Sequence, residues 1–407
     1  MNPPAVEDPQ SEWTDGWRIV LACALASGTG IVLLFFSFSL FVLPIAKDLG
    51  VSRGTVGSLQ SLVIAGAIGS PVIGWLADRY GFRAVFTACT LIVAGVELVL
   101  ARFTTTLTGF GICVLLLGFV GVGTTALTTT RPVNAHFHRH RGKALGLVAA
   151  GVSITTILAP PPLQAVMELY GWRGGIAALA LLALLVGIPA VQFLLPDAVA
   201  GAVVRTPLAQ GHAEASFLRA RHFWLLAMAG IFIGAATSGF VGQLSPIIQA
   251  EGLSVATGAL ALSAFAVGQL IGRLGTGLLL DRYEPRLVAV ALTVLPGCGF
   301  VILLLTDQAP LAALFAAGMI GLLQGSELDI NAYFVARRFG LARYSATYGA
   351  LLGLGWIGNA AGIIGVGLLH DRFGSYDLPQ LLALAGLAVG AVLISGIRLP
   401  PLAPDPR

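Results

Sequence analysis

Two carboxylates lie inside a stretch of the chain whose composition otherwise predicts a membrane-spanning helix. Glu327 and Asp329 follow the apolar run Leu311–Leu323, and Arg337 and Arg338 end the segment. An ionised carboxylate at bilayer depth costs several kcal/mol, so it is tolerated only where it faces protein or water. The chemistry open to such residues is proton binding or pairing with a buried cation.

Two arginines, Arg131 and Arg273, also lie inside predicted spans. Arg273 precedes Asp281 by eight residues, which at 1.5 Å per residue places it about 12 Å from the helix end. That depth is too great for comfortable snorkelling to the interface, and a guanidinium can bind a carboxylate through two parallel hydrogen bonds. Arg273 is therefore a candidate for binding an anion inside the membrane. The alternative is a structural ion pair with Glu327 or Asp329.

Glu327 and Asp329 cannot both face one partner squarely, because two residues turn a helix by about 200°. Burial favours the neutral form of a carboxyl, and a nearby arginine favours the charged form. A carboxyl held between these effects can bind and release a proton when a substrate occupies the arginine. We predict that one of the two, with Glu327 preferred, binds a coupled proton. Permanent structural pairing is the alternative.

Arg131 lies six residues before Phe137, nearer a helix end than Arg273. It is a candidate for a second substrate contact or for a partner of Asp329. An arginine of the cytoplasmic gate, or one that snorkels to the interface, is the third interpretation.

Uncharged polar residues supply further candidates for substrate binding. Gln243 and Asn359 are amides in otherwise apolar spans, and intramembrane amides usually face a helix interface or a cavity. Tyr333 and Tyr348 carry hydroxyls that could serve the same purpose. Glu97 lies near the outer end of its span, and we interpret it as interfacial.

The composition is that of an integral membrane protein, with 57% hydrophobic residues, 10% charged residues and a mean hydropathy of +0.89. Apolar runs of about 20 residues, the length that crosses a bilayer, recur along the chain. The predicted fold is therefore all-α. We predict twelve spans, at about residues 18–45, 55–77, 84–102, 107–135, 144–168, 174–196, 222–249, 255–280, 286–305, 309–335, 344–370 and 377–400.

The longest interruption is polar and divides the spans into two sets of six. Most cations lie in the loops after even-numbered spans, and loops rich in Lys and Arg face the cytoplasm. Both termini are therefore predicted to be cytoplasmic. The predicted order is a cytoplasmic tail (1–17), a six-helix bundle (18–196), a cytoplasmic linker (197–221), a second six-helix bundle (222–400) and a cytoplasmic tail (401–407).

Several functional classes lack support in the sequence. The net charge of +4 comes from cations in short loops between spans and does not indicate nucleic acid. The four cysteines have no CxxC spacing, and the spacing of His136, His138 and His140 does not put metal ligands on one helix face. No P-loop and no nucleophile–base pair is recognised. We expect no cofactor, no metal site and no enzymatic activity.

The two halves repeat one another. The decapeptide Gly74–Arg83 follows span two, and its counterpart Gly277–Arg286 follows span eight. Asn134–Phe137 closes span four as Asn331–Phe334 closes span ten, and the two separations are 203 and 197 residues. Parallel duplication of a six-span unit is a transporter architecture in which the substrate binds near the midplane, between the halves.

The pattern Gly-x-x-x-Asp-Arg-x-Gly-x-Arg at Gly74–Arg83 resembles the cytoplasmic loop signature of the major facilitator superfamily. The second copy is degenerate, since Glu284 stands where Gly81 stands. The resemblance implies twelve helices in two pseudo-symmetric bundles. It also implies a cytoplasmic gate held by ion pairs and by hydrogen bonds to helix ends. The gate candidates are Asp78, Arg79, Arg83, Asp281 and Arg282.

A finer resemblance is to the bacterial monocarboxylate and oxalate transporter group of that superfamily. It is carried by the segments 15–17, 137–147, 170–173 and 327–340. That group places its substrate-carboxylate arginine in span eight, the position of Arg273. The chain departs from the group in two places. The mammalian-type lysine of span one is absent around 36–40, and span eleven, Tyr344–His370, has no Lys or Arg. One fewer cation makes a dicarboxylate substrate less favourable.

The function predicted from these residues is proton-coupled symport of a small organic monoanion by alternating access. The predicted partners are that anion, protons and the lipid bilayer, and we expect a monomer in a bacterial cytoplasmic membrane. Two alternatives stay open. One is an exporter or exchanger of larger hydrophobic or aromatic compounds, and the other is a receptor-like relative that moves nothing.

Overall fold

The structure is a computed structural model that describes residues 11–137, 140–196, 218–305, 308–339 and 344–397. Secondary structure within these ranges is helical, and they contain no strand. The helices are α1 Ser11–Gly28, α2 Ile31–Leu49, α3 Arg53–Leu59, α4 Ala65–Tyr80, α5 Phe82–Phe103, α6 Leu107–Gly121, α7 Ala126–His136, α8 Arg141–Leu158, α9 Pro160–Leu182, α10 Arg221–Ala250, α11 Val255–Arg282, α12 Pro285–Val294, α13 Gly297–Leu305, α14 Pro310–Phe339, α15 Tyr344–Phe373 and α16 Asp377–Ser395. Short 3₁₀ turns, Gln60–Ile64 and Val122–Thr124, and π-helical turns, Ala183–Gly187 and Ala190–Leu194, continue some of them.

The all-α membrane fold is confirmed. Eleven helices of the described chain are long and apolar enough to cross a membrane, and Gly142–Leu158 is a shorter apolar helix. The boundary between predicted spans five and six falls inside α9 at Gly171, whose φ of 68° is a conformation that glycine adopts readily. A break before the prolines that start α9 separates α8 from it, because proline cannot continue the preceding turn.

The described chain forms two compact units. The first comprises residues up to 38 together with 62–196, and the second comprises 39–61 together with 218–397. Within the second unit, Asp371 accepts hydrogen bonds from the Ser52 hydroxyl and from the Gly54 amide, the latter at 3.1 Å. Of the predicted tails and linker, residues 1–10, 197–217 and 401–407 lie outside the described residues.

One close helix contact occurs at the same place in each unit. A Cβ atom added to Gly69 of α4 would collide with the carbonyl oxygen of Phe119 in α6. A Cβ atom added to Gly272 of α11 would collide with the carbonyl oxygen of Leu322 in α14. Both members of the second pair come 203 residues after those of the first. The sequence repeat is therefore accompanied by a repeat in the way the helices pack.

Candidate functional site

Helices α11 and α14 of the second unit touch backbone to backbone. Glycines on both helices leave no side chain at the crossing, and small residues of this kind allow membrane helices to approach closely. A Cβ atom added to Gly325 would collide with the carbonyl oxygen of Gln269 and lie 3.0 Å from the backbone nitrogen of Arg273. The crossing thus places Arg273 beside the turn before Glu327 and Asp329. The glycines are Gly268, Gly272, Gly318, Gly321 and Gly325.

Arg273 acts electrostatically on Asp329. Asp329 comes four residues after Gly325 and therefore lies one turn along the same face of α14, toward α11. The Arg273 guanidinium is within electrostatic range of the Asp329 carboxyl. Within the part of the chain that the structure describes, neither side chain forms a salt bridge or a hydrogen bond. Arg273 is thus a partly buried cation with an acid in reach and no fixed partner among these residues.

Glu327 faces a different side of α14 from Asp329. It shares its face with Leu323, Ile330 and Phe334, which are 0%, 4% and 0% exposed. Among the described residues it forms no salt bridge and no hydrogen bond. The two carboxyls therefore have separate surroundings, as their spacing of two predicts, and the acid within reach of Arg273 is Asp329.

Arg131 is bound to the loop motif of the first unit. Its Nη1 donates to Asp78 Oδ1 at 2.5 Å, and its Nη2 donates to the Gly74 carbonyl oxygen at 3.2 Å. Both acceptors belong to Gly74–Arg83, and the arginine side chain is 19% exposed. Of its three interpretations, the arrangement favours the cytoplasmic gate, because its guanidinium is occupied by α4.

The other arginines of the first copy make exposed or terminal contacts. Arg79 is exposed, and its guanidinium lies 5.5 Å from the ring centre of Trp75 and 5.6 Å from that of Tyr80. Arg83 donates from Nη2 to the carbonyl oxygen of Leu195, at the end of the last helix of this unit. The first copy therefore ties the α4–α5 turn to two other parts of its unit.

The second copy makes one of these contacts. Arg286 donates to the carbonyl oxygen of Ser395 at 3.5 Å, which corresponds to the Arg83 contact of the first unit. Arg282 is exposed, and the side chain of Asp281 is outside what the structure describes. Among the described side chains, the ion pair of this copy joins Arg286 Nε to Glu284 Oε1 at 4.0 Å, two residues apart, and does not reach another helix.

The turn between the helices also differs between the copies. Gly81 has φ 80° and ψ 165°, a conformation essentially restricted to glycine. In the second copy, Tyr283 and Glu284 have negative φ angles, and the Glu284 carboxylate accepts from the Leu287 amide at 2.8 Å while Pro285 begins the helix. The replacement of glycine by glutamate thus exchanges a special backbone turn for a helix cap.

The predicted amide candidates lie at helix contacts of the second unit. Gln243 is buried, and its Oε1 accepts from the Tyr376 hydroxyl at 3.3 Å. The Asn359 Oδ1 atom is buried against Gly234 of α10 and has no hydrogen-bond partner among the described atoms. Neither amide is hydrogen-bonded to Arg273 in the described part of the structure.

Two tyrosines approach the polar end of α14. The Tyr333 hydroxyl accepts from Arg337 Nη1 at 2.9 Å, one turn later on the same helix. The Tyr348 hydroxyl of α15 donates to the carbonyl oxygen of Leu328, the residue between the two carboxyls, at 3.3 Å. Tyr348 is thus closer to the acidic turn than the sequence alone indicated.

Two glutamines were missed by the sequence reasoning. Gln269 is buried one turn before Arg273, and the Oε1 atom of Gln324 is buried with no partner among the described atoms. Both are amides inside apolar spans, so the rule that selected Gln243 and Asn359 would have found them. They border the α11–α14 crossing, and they are candidates for polar contacts with a ligand.

The interfacial interpretation of Glu97 is wrong. Glu97 is 3% exposed and shares the inward face of α5 with Val93 and Leu100, each 1% exposed. In a membrane helix both faces are apolar, so hydropathy does not identify the face that packs inward. The described residues also contain no cluster of three His, Cys, Asp or Glu side chains that could hold a metal ion.

A surface pocket of about 660 Å³ lies elsewhere in the second unit. It includes none of the predicted site residues. Its lining is Leu43, Ala46, Lys47, Val51, Ser52, Arg53, His370 and Asp371.

Comparison with known proteins identifies the family. Residues 25–351 match the Major Facilitator Superfamily. The chain belongs to this superfamily. Its relatives and its fold are those of membrane transporters and not of enzymes. It is therefore a multi-pass membrane protein and a Major Facilitator Superfamily transporter.

Relatives within the superfamily include monocarboxylate transporters. The chain is 27% identical to mouse monocarboxylate transporter 11 over 98% of its length and 90% of the relative. It is 29% identical to bovine monocarboxylate transporter 13 over 96% of its length and 90% of the relative. A chloramphenicol resistance protein of Streptomyces lividans is 27% identical over 78% of this chain and 80% of that protein.

Solved structures of the superfamily share the fold. A point mutant of the nucleoside transporter NupG superposes with a TM-score of 0.77 at 17% identity, covering 92% of this chain and 98% of that one. A bacterial homologue of the human lysosomal transporter Spinster, inward-facing and occupied, gives a TM-score of 0.71 at 16% identity, covering 92% and 95%. At these identities the likeness establishes the Major Facilitator fold alone.

Proposed function

We propose that this transporter moves a small organic monoanion, a monocarboxylate, by alternating access and in symport with a proton. The observation that carries the proposal is Arg273. It is a partly buried arginine that has no salt bridge among the described residues and lies beside a turn bearing two carboxyls. A guanidinium in that position would bind a carboxylate through two hydrogen bonds. The similarity to proteins named monocarboxylate transporters supports the same substrate class.

The charges of the second unit favour one negative charge on the substrate. Arg273 is partly offset by Asp329, and Tyr344–His370 contributes no Lys or Arg. Asp329 would be the resting counter-charge of Arg273, which the substrate carboxylate relieves on binding. Glu327, on another face, would bind the coupled proton and so keep the loaded transporter electrically balanced. The distribution of loop cations supports both termini in the cytoplasm, and we propose a monomer in a bacterial cytoplasmic membrane.

The test is uptake of radiolabelled acids into proteoliposomes, with and without an inward proton gradient. The panel holds lactate, pyruvate, acetate, oxalate and an aromatic acid. Arg273→Ala should lower uptake by about 100-fold or more, because a desolvated charge contact is lost. Arg273→Lys should recover part of it, since the charge stays while the two-point geometry does not. Arg102→Ala, an exposed arginine of α5, is the matched control.

Two outcomes would change the proposal. Uptake retained by Arg273→Ala would show that another group binds the anion. Glu327→Gln should abolish gradient-driven accumulation and preserve exchange of labelled for unlabelled substrate. If that variant still accumulates substrate, the proton is carried by Asp329 or by another carboxyl.

Export of a hydrophobic compound is the second candidate, favoured by the similarity to the Streptomyces lividans chloramphenicol resistance protein. Expression in a drug-sensitive host would then lower the accumulation of a labelled neutral drug. Such an effect, together with no uptake of any acid, would replace the anion proposal. Arg273 would in that case be a structural charge.

A further inference from the structure

Glu97 is a buried carboxyl that the proposed mechanism does not use. It lies six residues from the end of α5 at Phe103, about 9 Å along the helix. Its side chain is on the inward face, whereas Leu98 and Val99 on the opposite face are 40% and 47% exposed. The carboxyl therefore lies within the first unit and away from the surface that lipid would cover.

No charge in the described structure compensates Glu97. It forms no salt bridge and no hydrogen bond there, and its Oε2 atom is fully buried without a partner. Transfer of an isolated carboxylate out of water costs far more than transfer of the neutral acid. The packing in this structure therefore suits the protonated acid and not the ion.

None of the titratable and charged groups on the helices around Glu97 forms a hydrogen bond or an ion pair with it in the described structure. Helix α5 packs against α4, α6, α7, α9 and the irregular turns that continue α6 and α9. Arg173 of α9 donates to the Thr104 carbonyl oxygen at 3.0 Å and lies 4.2 Å from the ring centre of Trp172. Cys89 lies eight residues earlier on α5 itself. At the Glu97 end of the helices the other groups are Arg102, Cys113, Glu168 and Tyr170, and at the opposite end they are Asp78, Arg79, Tyr80, Arg83, Arg131 and His136.

We propose that Glu97 is a second proton-binding site, located in the first unit, and that the transporter reaches the conformation described here only with Glu97 protonated. The proton comes from water and returns to water when another conformation hydrates the carboxyl. No covalent bond other than O–H is made or broken. This inference rests on the proposed transport function but involves a different carboxyl from Glu327.

The test is the pH dependence of substrate exchange in proteoliposomes held at the same pH on both sides. The comparison is made in Glu327→Gln protein, so that the coupled proton does not contribute to the profile. There, exchange should fall by about tenfold per pH unit once Glu97 loses its proton, as binding of one proton requires. Adding Glu97→Gln makes that position permanently neutral, so exchange should stay high at alkaline pH, and an unchanged profile would overturn the proposal. Adding Glu168→Gln instead, at an exposed carboxyl of α9, is the matched control and should keep the alkaline decline.

A spectroscopic measurement decides the matter if Glu97→Gln folds poorly. In a Glu327→Gln, Asp329→Asn protein, the infrared carbonyl band of a protonated carboxylic acid should persist at neutral pH and vanish on alkalinisation. Absence of that band at neutral pH would also overturn the proposal. Failure of the wild type to transport any acid would instead remove the proposed substrate, and the infrared result would stand independently of it.

Discussion

The two copies of the loop motif share one arginine hydrogen bond. They differ in the ion pair that accompanies it. Arg83 and Arg286 both donate to a carbonyl oxygen at the end of the last helix of their unit. The first copy adds the Arg131–Asp78 ion pair. In the second, the position that corresponds to Arg131 is Leu328 by the separation of the two Asn-Ala pairs, and Phe334 by the separation of the two glycine contacts. Neither is an arginine.

This difference separates the roles of the two intramembrane arginines. The guanidinium of Arg131 is occupied by acceptors of α4, whereas that of Arg273 has no fixed partner among the described residues. A cation whose donors are occupied has little capacity to bind a substrate anion, and a cation without a partner has that capacity. We therefore propose that the arginine of the first unit holds a turn and that the arginine of the second unit binds a ligand.

The largest expected effect comes from separating α11 and α14. Gly325→Ala puts a methyl group against the Gln269 carbonyl oxygen, so we expect it to lower the free energy of unfolding by about 2–3 kcal/mol, the upper part of the range for overpacking. Uptake should be lost because Arg273 shifts relative to Asp329. Gly318→Ala on the same helix meets only an ordinary contact at 3.5 Å and should change stability by less than about 0.5 kcal/mol. Equal melting temperatures for the two variants in detergent would contradict this account.

The next effect distinguishes the two turns. Gly81→Ala forces an alanine into a conformation reserved for glycine and should cost about 1–3 kcal/mol. Glu284→Ala removes only a helix cap and should cost about 0.5–1 kcal/mol. Thermal unfolding of both variants measures the difference. A larger loss of stability in Glu284→Ala would mean that the helix cap stabilises the protein more than the glycine turn does.

The ion pair should give a smaller but specific signal. A double-mutant cycle on Asp78→Asn and Arg131→Gln should yield a coupling energy of about 1 kcal/mol, kept modest because Asp78 is 46% exposed. The same cycle on Arg273→Gln and Asp329→Asn should yield about 0.5 kcal/mol or less, since no salt bridge joins that pair in the described structure. Chemical denaturation of each set supplies the values. A larger coupling energy for Arg273 and Asp329 than for Arg131 and Asp78 would refute the different roles proposed for the two arginines.

The smallest effect is expected from Arg286, which donates a hydrogen bond to the end of the last helix in the second unit. Arg286 is close to the surface and its hydrogen bond to the Ser395 carbonyl oxygen is long, at 3.5 Å. Arg286→Gln should therefore change stability by less than about 0.5 kcal/mol. Arg83→Gln, in the better-defined first copy, should cost about 1 kcal/mol. The melting temperatures of the two variants measure this difference. Equal losses would contradict it.

The sequence predicts this fold well because bilayer thickness sets the length of each span and the loop motif repeats at a fixed separation. It also places Arg273 and the acidic turn at similar depth. It cannot say which carboxyl the arginine acts on, because that depends on the glycine crossing of two helices. The inward position of Glu97 and the partner of Arg131 likewise depend on tertiary packing. Hydropathy does not reveal them, because every face of these helices is apolar enough to contact lipid.

The glycine crossing has a mechanical consequence. Where two helix backbones are in contact, no side chain lies between them that could change its rotamer. We therefore expect α11 and α14 to move as one rigid unit and not to slide past each other. Arg273 is carried by one member and Asp329 by the other, and their separation would then stay nearly constant through the working cycle. The net charge of this pair would then depend on whether an anion, a proton or water binds there, and not on movement of the two helices.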